Sequence, residues 1–336
     1  MARRSVIEQL DEAVQELLDN PEAQLPQVDA RIAPLLRVAA DLRQLPRAQF
    51  KARLQDELRG EKTMAAMTET TTGTEKTSRA RTSFIRPGFR TVTPYIMVHQ
   101  AEQLIDFVKQ VFGAEELFRG SGGGGGMHCE VRVGDSMMML GGGGTWAGPE
   151  RIAAIHLYVK DADAAYQRAI EAGATSLRAP ADQFYGDREG SVKDRFGNYW
   201  YIGTNEKTGG PPEGMNSVTP SFHPKGAAQM IEFLKSGFGA EEILRAQDPG
   251  GHVHYARVRL GTSVVDVGEA HAEFQPMPTS LYLYVEDADA LYKRALQAGA
   301  TSLFEPVNQP YGDRNGGVLD PFGNEWFIGT HVEDLE

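Results

Sequence analysis

The chain has 336 residues, 24% of them charged, and a formal net charge of -12, a length that accommodates two domains. The acidic balance argues against a nucleic-acid partner, because phosphate binding needs a basic surface. No apolar run reaches the roughly 18 residues that span a bilayer, and Cys129 is the only cysteine, so no intrachain disulfide forms and a cytoplasmic protein is expected.

The first elements are helical. Ile7, Leu10, Val14 and Leu17 fall on one helix face, as do Ile32, Leu35, Leu36, Ala39 and Leu42, and then Phe50, Leu54 and Leu58. Pro21, Pro26 and Pro46 separate these runs. Residues 1–62 therefore read as an N-terminal helical segment that needs a surface to lie against. That surface is the rest of the chain, a second copy in a homo-oligomer, or a protein partner. Residues 63–83 are Thr-rich with little apolar pattern and read as a flexible tether.

From residue 84 the pattern changes. Val92–Val98 predicts a strand, and Ile105, Val108 and Phe112 predict a helix that Gly113 stops. Strands follow at Glu116–Arg119, His128–Val133 and Met137–Leu140. A second round begins with a strand at Ala153–Val159 and a helix capped by Asp161. The glycine run at 120–126 precedes a strand rather than a helix, so it reads as a hairpin loop and a flap, not a phosphate loop. This first domain spans 84–206, and a Gly/Pro-marked linker at 207–211 leads to a second at 212–333.

The second domain copies the first. "YGDREGSVKDRFGNYWYIGT" (185–204) and "YGDRNGGVLDPFGNEWFIGT" (311–330) agree at 14 of 20 positions, where chance gives roughly one. "HLYVKDADAAYQRAIEAGATSL" (156–177) likewise matches "YLYVEDADALYKRALQAGATSL" (282–303). The offset is 126, becoming 127 around "VRVGDS" and "VRLGTS". Within the copied segment Asp320, Pro321 and Gly323 fit a type I turn between the last two strands.

These motifs, with "GAEEL" and two rounds of strand–helix–three strands per domain, resemble the glyoxalase/bleomycin-resistance/extradiol-dioxygenase superfamily, also called vicinal oxygen chelate proteins. The resemblance covers 84–206 and 212–333. It implies an α+β fold of two tandem domains, each of two βαβββ modules around a concave eight-stranded sheet and its pocket. Enzymatic members hold a divalent metal on His and Glu from the first and last strands of the modules. The positions that match are Thr93, Met139, Ala154 and Tyr201, then Thr219, Asp266, Ser280 and Phe327. Only Asp266 among them is a strong ligand, and such metals ordinarily need three or more. No metal and no other cofactor is expected.

Strand alternation predicts the pocket walls. The first pocket would gather His128, Glu130, Arg132, Ala154, His156, Tyr158, Tyr199 and Tyr201. The second would gather Tyr255, Arg257, Arg259, Asp266, Tyr282, Tyr284, Glu325 and Phe327. Aromatic faces with a few charges suit a small, flat organic ligand. Three functions stay open: a metal-independent small-molecule binder, a metal-dependent or His-assisted lyase, isomerase or dioxygenase, and a metabolite-sensing regulatory or scaffold protein using its N-terminal helices.

Overall fold

A computed structural model describes residues 83–272 and 274–334, which lie in one compact unit. The N-terminal helical segment and nearly all of the tether expected from the sequence lie outside the described residues. The rest contains four repetitions of one module. Module one is β1 (Val92–Val98), α1 (Ala101–Phe112), β2 (Glu115–Ser121), β3 (Met127–Val133) and β4 (Ser136–Gly142). Module two is β5 (Ala154–Tyr158), α2 (Ala162–Glu171), β6 (Thr175–Asp182), β7 (Asp187–Lys193) and β8 (Tyr199–Asn205). Module three is β9 (Val218–Phe222), α3 (Ala227–Phe238), β10 (Glu241–Gln247), β11 (Val253–Leu260) and β12 (Ser263–Val267). Module four is β13 (Ser280–Tyr284), α4 (Ala288–Gln297), β14 (Thr301–Asn308), β15 (Asp313–Leu319) and β16 (Glu325–His331).

Local chemistry sets these elements. In α1 the buried Leu104, Ile105, Val108, Val111 and Phe112 recur three and four residues apart. Gly113 ends the helix at φ 67°, a left-handed turn that costs glycine little. Asp161 and Asp287 cap α2 and α4, each carboxylate accepting the N–H three residues on. The turn after β7 is organised by Asp194, which accepts from the backbone of Phe196 and Asn198, from Asn198 Nδ2 and from Trp200 Nε1, all at 2.9 Å. Asp320 does the same for Phe322, Asn324 and Trp326. The copied segment is thus a carboxylate-centred turn that fixes a tryptophan. Both indoles are fully buried and lie tilted against Phe112 and Phe238, with ring centroids 4.8 and 4.7 Å apart; burial of side chains this large contributes roughly 3 kcal/mol each.

The fold class read from the sequence holds: α+β, with tandem domains of βαβββ modules and two eight-stranded sheets. The sharing of modules between sheets differs from expectation. One sheet runs β14-β15-β16-β13-β1-β4-β3-β2 and joins modules one and four; the other runs β10-β11-β12-β9-β5-β8-β7-β6 and joins modules two and three. We call them the outer and inner sheets, after the modules' places along the chain. The junctions are antiparallel, Thr93 opposite Tyr282 and His156 opposite Thr219. The apolar cores, by contrast, follow the repeats. Helices α1 and α2 share one cluster with Ile96, Ile155 and Trp200, while α3 and α4 share another with Phe222, Leu281 and Trp326. Each repeat is one core, and each sheet face belongs to both repeats.

Candidate functional site

The face of the outer sheet carries a cavity of about 930 Å³. Its walls alternate out of the strands as β-pleating requires: Tyr95 and Met97 from β1, His128 and Glu130 from β3, Met139 from β4, Tyr282 and Tyr284 from β13, and Phe327 from β16. Phe118 and Phe304 close it from the two edge hairpins. Tyr95 and Phe327 meet across the module junction with ring centroids 5.9 Å apart, and Phe304 continues the layer at 6.2 Å. The glycine loop supplies Ser121, Gly122 and Gly123, backed by Trp146. It packs tightly rather than hanging free, since a Cβ at Gly126 would stand 3.0 Å from both the Gly142 carbonyl and Trp146.

Two polar chains face this aromatic interior. On the module-one side Arg86 donates to both oxygens of the buried Glu130, at 2.7 and 2.6 Å. Glu130 Oε1 lies 3.3 Å from His128 Nε2, and His128 Nδ1 lies 3.0 Å from the Tyr95 hydroxyl. Burial works against the Glu130 charge, but the hydrogen bonds from His128 and Arg86 outweigh it and hold the carboxyl below its usual range. Burial, with the neighbouring Tyr311 and Glu130, pushes the Tyr95 phenol up to about 12. On the module-four side Tyr282 and Tyr284 both donate to Asp313 Oδ2, at 2.7 and 2.9 Å. Asp313 Oδ1 is 2.8 Å from His331 Nδ1, and His331 Nε2 is 2.8 Å from the exposed Asp334.

The inner sheet uses the equivalent positions differently. His156 lies 3.2 Å from Glu189 and 3.9 Å from Asp266. Burial opposes its charge, yet these two carboxylates prevail and raise the imidazole to about 9. Arg257 forks onto Asp266 at 2.8 and 3.1 Å, Tyr255 donates to Asp266 at 3.0 Å, and Arg178 pairs with Glu189. Tyr158 donates to Asp187 and stacks on His156, while Tyr201 bonds His223 at 2.9 Å beside Phe274. In the outer sheet the counterparts of His156, Glu189, Arg178 and Asp266 are Tyr282, Asn315, Phe304 and Met139. At these four positions the charged and imidazole groups of the inner face are replaced by neutral ones on the outer face.

The residues singled out from the sequence therefore divide by sheet and not by repeat. His128, Glu130, Tyr282, Tyr284 and Phe327 line the cavity. His156, Tyr158, Tyr201, Tyr255, Arg257 and Asp266 gather on the inner sheet. Pairing His128 with His156 in one pocket, and Tyr255 with Tyr282 in another, is corrected by the strand order: β3 and β5 lie in different sheets, as do β11 and β13. Arg132 and Arg259 face solvent at the strand ends, paired with Glu115 and Glu241. Glu325 turns to Arg151 and Ser280. The arginines of the copied "YGDR" segments bond Asp163 and Asp289 on the adjacent helices. Reading the sequence missed Tyr95, which shares the inward parity of Thr93 and Met97 and was legible in that alternation. It also missed Arg86, which precedes the first strand and has no periodic signal.

Donor chemistry decides whether the superfamily's metal fits. The outer sheet assembles Thr93, Met139, Ser280 and Phe327 from the matching positions; the inner sheet assembles Thr219, Asp266, Ala154 and Tyr201. A thioether, a phenyl ring and hydroxyls make no transition-metal site, and Asp266 is engaged by Arg257 and Tyr255. Among the described residues no three His, Cys, Asp or Glu side chains converge as a metal site. The residues present do not fit the group.

Comparison with known proteins places this geometry. The sequence model for the Glyoxalase/Bleomycin resistance protein/Dioxygenase superfamily matches residues 89–202 and 224–328. An uncharacterized protein of Mycobacterium bovis is 38% identical over 130 residues, covering 35% of this chain and 86% of that protein. One of Mycobacterium tuberculosis is 38% identical over the same length, which is 76% of its chain. Among solved structures, glyoxalase I from Zea mays superposes with a TM-score of 0.55 at 13% identity, covering 71% of this chain and 92% of the maize enzyme. At that identity the likeness concerns the fold.

Proposed function

The chain belongs to the glyoxalase/bleomycin resistance protein/dioxygenase superfamily, and from that premise we propose that it binds one small aromatic molecule in the cavity of its outer sheet, without a metal ion. The observation that carries this reading is the cavity itself: about 930 Å³, walled by Tyr95, Phe118, Tyr282, Phe304 and Phe327. That volume suits a ligand of one to three fused or linked rings, within the range of drug-sized sites. Ring faces bind flat molecules through buried area and offset stacking, each pair worth roughly 0.5–1.5 kcal/mol beyond area.

The polar chains border the aromatic interior with their own groups engaged: Tyr95 with His128, Tyr282 and Tyr284 with Asp313, and Arg86 with Glu130. A neutral or phenolic ligand therefore fits better than an anion, which would meet Glu130 and Asp313. The inner sheet, where Asp266 and Glu189 are held by Arg257, Tyr255 and Arg178, serves as a structural joint between the repeats.

A screen of flat aromatic compounds by thermal stabilisation tests this, because a ligand that binds only the folded state raises its melting temperature. The reading expects hits that Phe327→Ala weakens and Tyr201→Ala leaves alone. Hits with the reverse pattern would move the site to the inner sheet.

A further inference from the structure

We propose that Tyr95, His128 and Glu130 form a proton relay that makes the cavity a metal-independent acid–base site for flat ring compounds with an acidic C–H or O–H. The inference rests on the reading that such compounds bind there. Tyr95 stands on β1 and His128 on β3, and these strands are not neighbours: β4 runs between them. The two side chains meet above Gly141, which is in register with His128 on one side and Met97 on the other. A Cβ at Gly141 would lie 2.9 Å from the Tyr95 hydroxyl. The bare backbone of β4 is what lets the phenol and the imidazole approach to 3.0 Å.

The order of partners gives the relay a direction. Glu130 is buried, with 4% of its side chain exposed, and Arg86 grips both its oxygens. A carboxylate beside Nε2 keeps the His128 proton on that nitrogen and leaves the Nδ1 lone pair for the Tyr95 hydroxyl. This is the logic of a nucleophile–imidazole–carboxylate triad, with a phenol at the cavity end. When a ligand proton passes to Tyr95 Oη, the Tyr95 proton passes to His128 Nδ1. The electron pair of the ligand's broken bond stays on the ligand as an enolate or phenolate, and the imidazolium faces Glu130. The proton then returns to another ligand atom or to water. No oxidant or reductant enters. The inner sheet has Ser221, Tyr255 and Arg257 at the corresponding places, which cannot do this. Tyr95 is the group that touches the ligand; His128 and Glu130 act through it, as acceptor and positioning residue.

The full chain can be tested with 5-nitrobenzisoxazole, a flat probe that needs only a base. Loss of its ring C–H proton turns the C–H pair into a nitrile bond, the N–O pair departs as a coloured phenolate, and the base carries the proton to water. Binding is followed separately with the unreactive 5-nitroindole by calorimetry. The expected result is elimination above buffer background whose kcat falls at least tenfold in Tyr95→Phe, His128→Gln and Glu130→Gln. The KM and the 5-nitroindole affinity should remain within about twofold of the parent, a split that a merely structural role would not produce. Tyr95→Phe keeps the ring and removes one oxygen, so it decides the matter even if another variant fails to fold. Binding of 5-nitroindole without elimination, or elimination indifferent to Tyr95→Phe, would overturn the relay and leave the binding reading standing. Binding of neither compound would take down both.

Discussion

His156 Nδ1 and Asp266 Oδ2 lie 3.9 Å apart on the inner sheet, one from each repeat. With Glu189 on its other side, the imidazole is held charged across the junction of the two copies. Its folded pKa, about 9, is raised above the ordinary value of 6.5. A raised pKa contributes stability that is fully present below the unfolded value and is lost as pH rises through the folded one. Stability should therefore fall between pH 6.5 and 9, by at most about 3 kcal/mol for a shift of this size. Urea unfolding across that window should show the decline in the parent and a flatter profile in His156→Gln. Identical profiles would mean that His156 is not the titrating joint.

Asp194 and Asp320 each accept four hydrogen bonds from donors that include a fully buried indole. Replacing either by alanine leaves those donors without an acceptor, at about 3 kcal/mol or more. Because the two turns are copies, the losses should be similar. Denaturant midpoints of Asp194→Ala and Asp320→Ala close to the parent's would refute the structural role of the copied segment.

Residues 84–206 expressed alone would keep their apolar core but lose the partners of β1 and β5, which pair with β13 and β9 of the other repeat. Two open strand edges in one fragment favour association. Light scattering should find a dimer or larger species, and a well-folded monomer would contradict the cross-repeat sheets.

The donor sets at the superfamily's metal positions predict that added Zn, Ni or Mn stabilises the chain very little, by less than about 1 °C, since weak binding yields little linkage. Stoichiometric metal in protein purified without chelators, lost in Asp266→Ala, would contradict this.

Much of the fold was legible because its signals are local. Val92–Val98 was found by apolar content, α1 by its spacing and Gly113, and α2 by Asp161. The module pairing was not legible. Ala154–Tyr158 and Ser280–Tyr284 are copies, so the edge of β1 could accept either, and only packing in three dimensions selects the second. That choice alone moved His156 away from His128 and put Tyr282 in its place. The divergence of the two faces was present in the sequence, at Asp266 against Met139 and Glu189 against Asn315. It acquires meaning only once those residues are known to share a sheet.

Calorimetric titration of the parent chain, Phe327→Ala and Tyr201→Ala with one aromatic hit measures site number and location together. One site per chain is expected, weakened about tenfold or more by Phe327→Ala, which corresponds to about 1.4 kcal/mol, and unchanged by Tyr201→Ala. Two equivalent sites per chain, or an affinity that depends on Tyr201 and ignores Phe327, would contradict a single outer-sheet binding site.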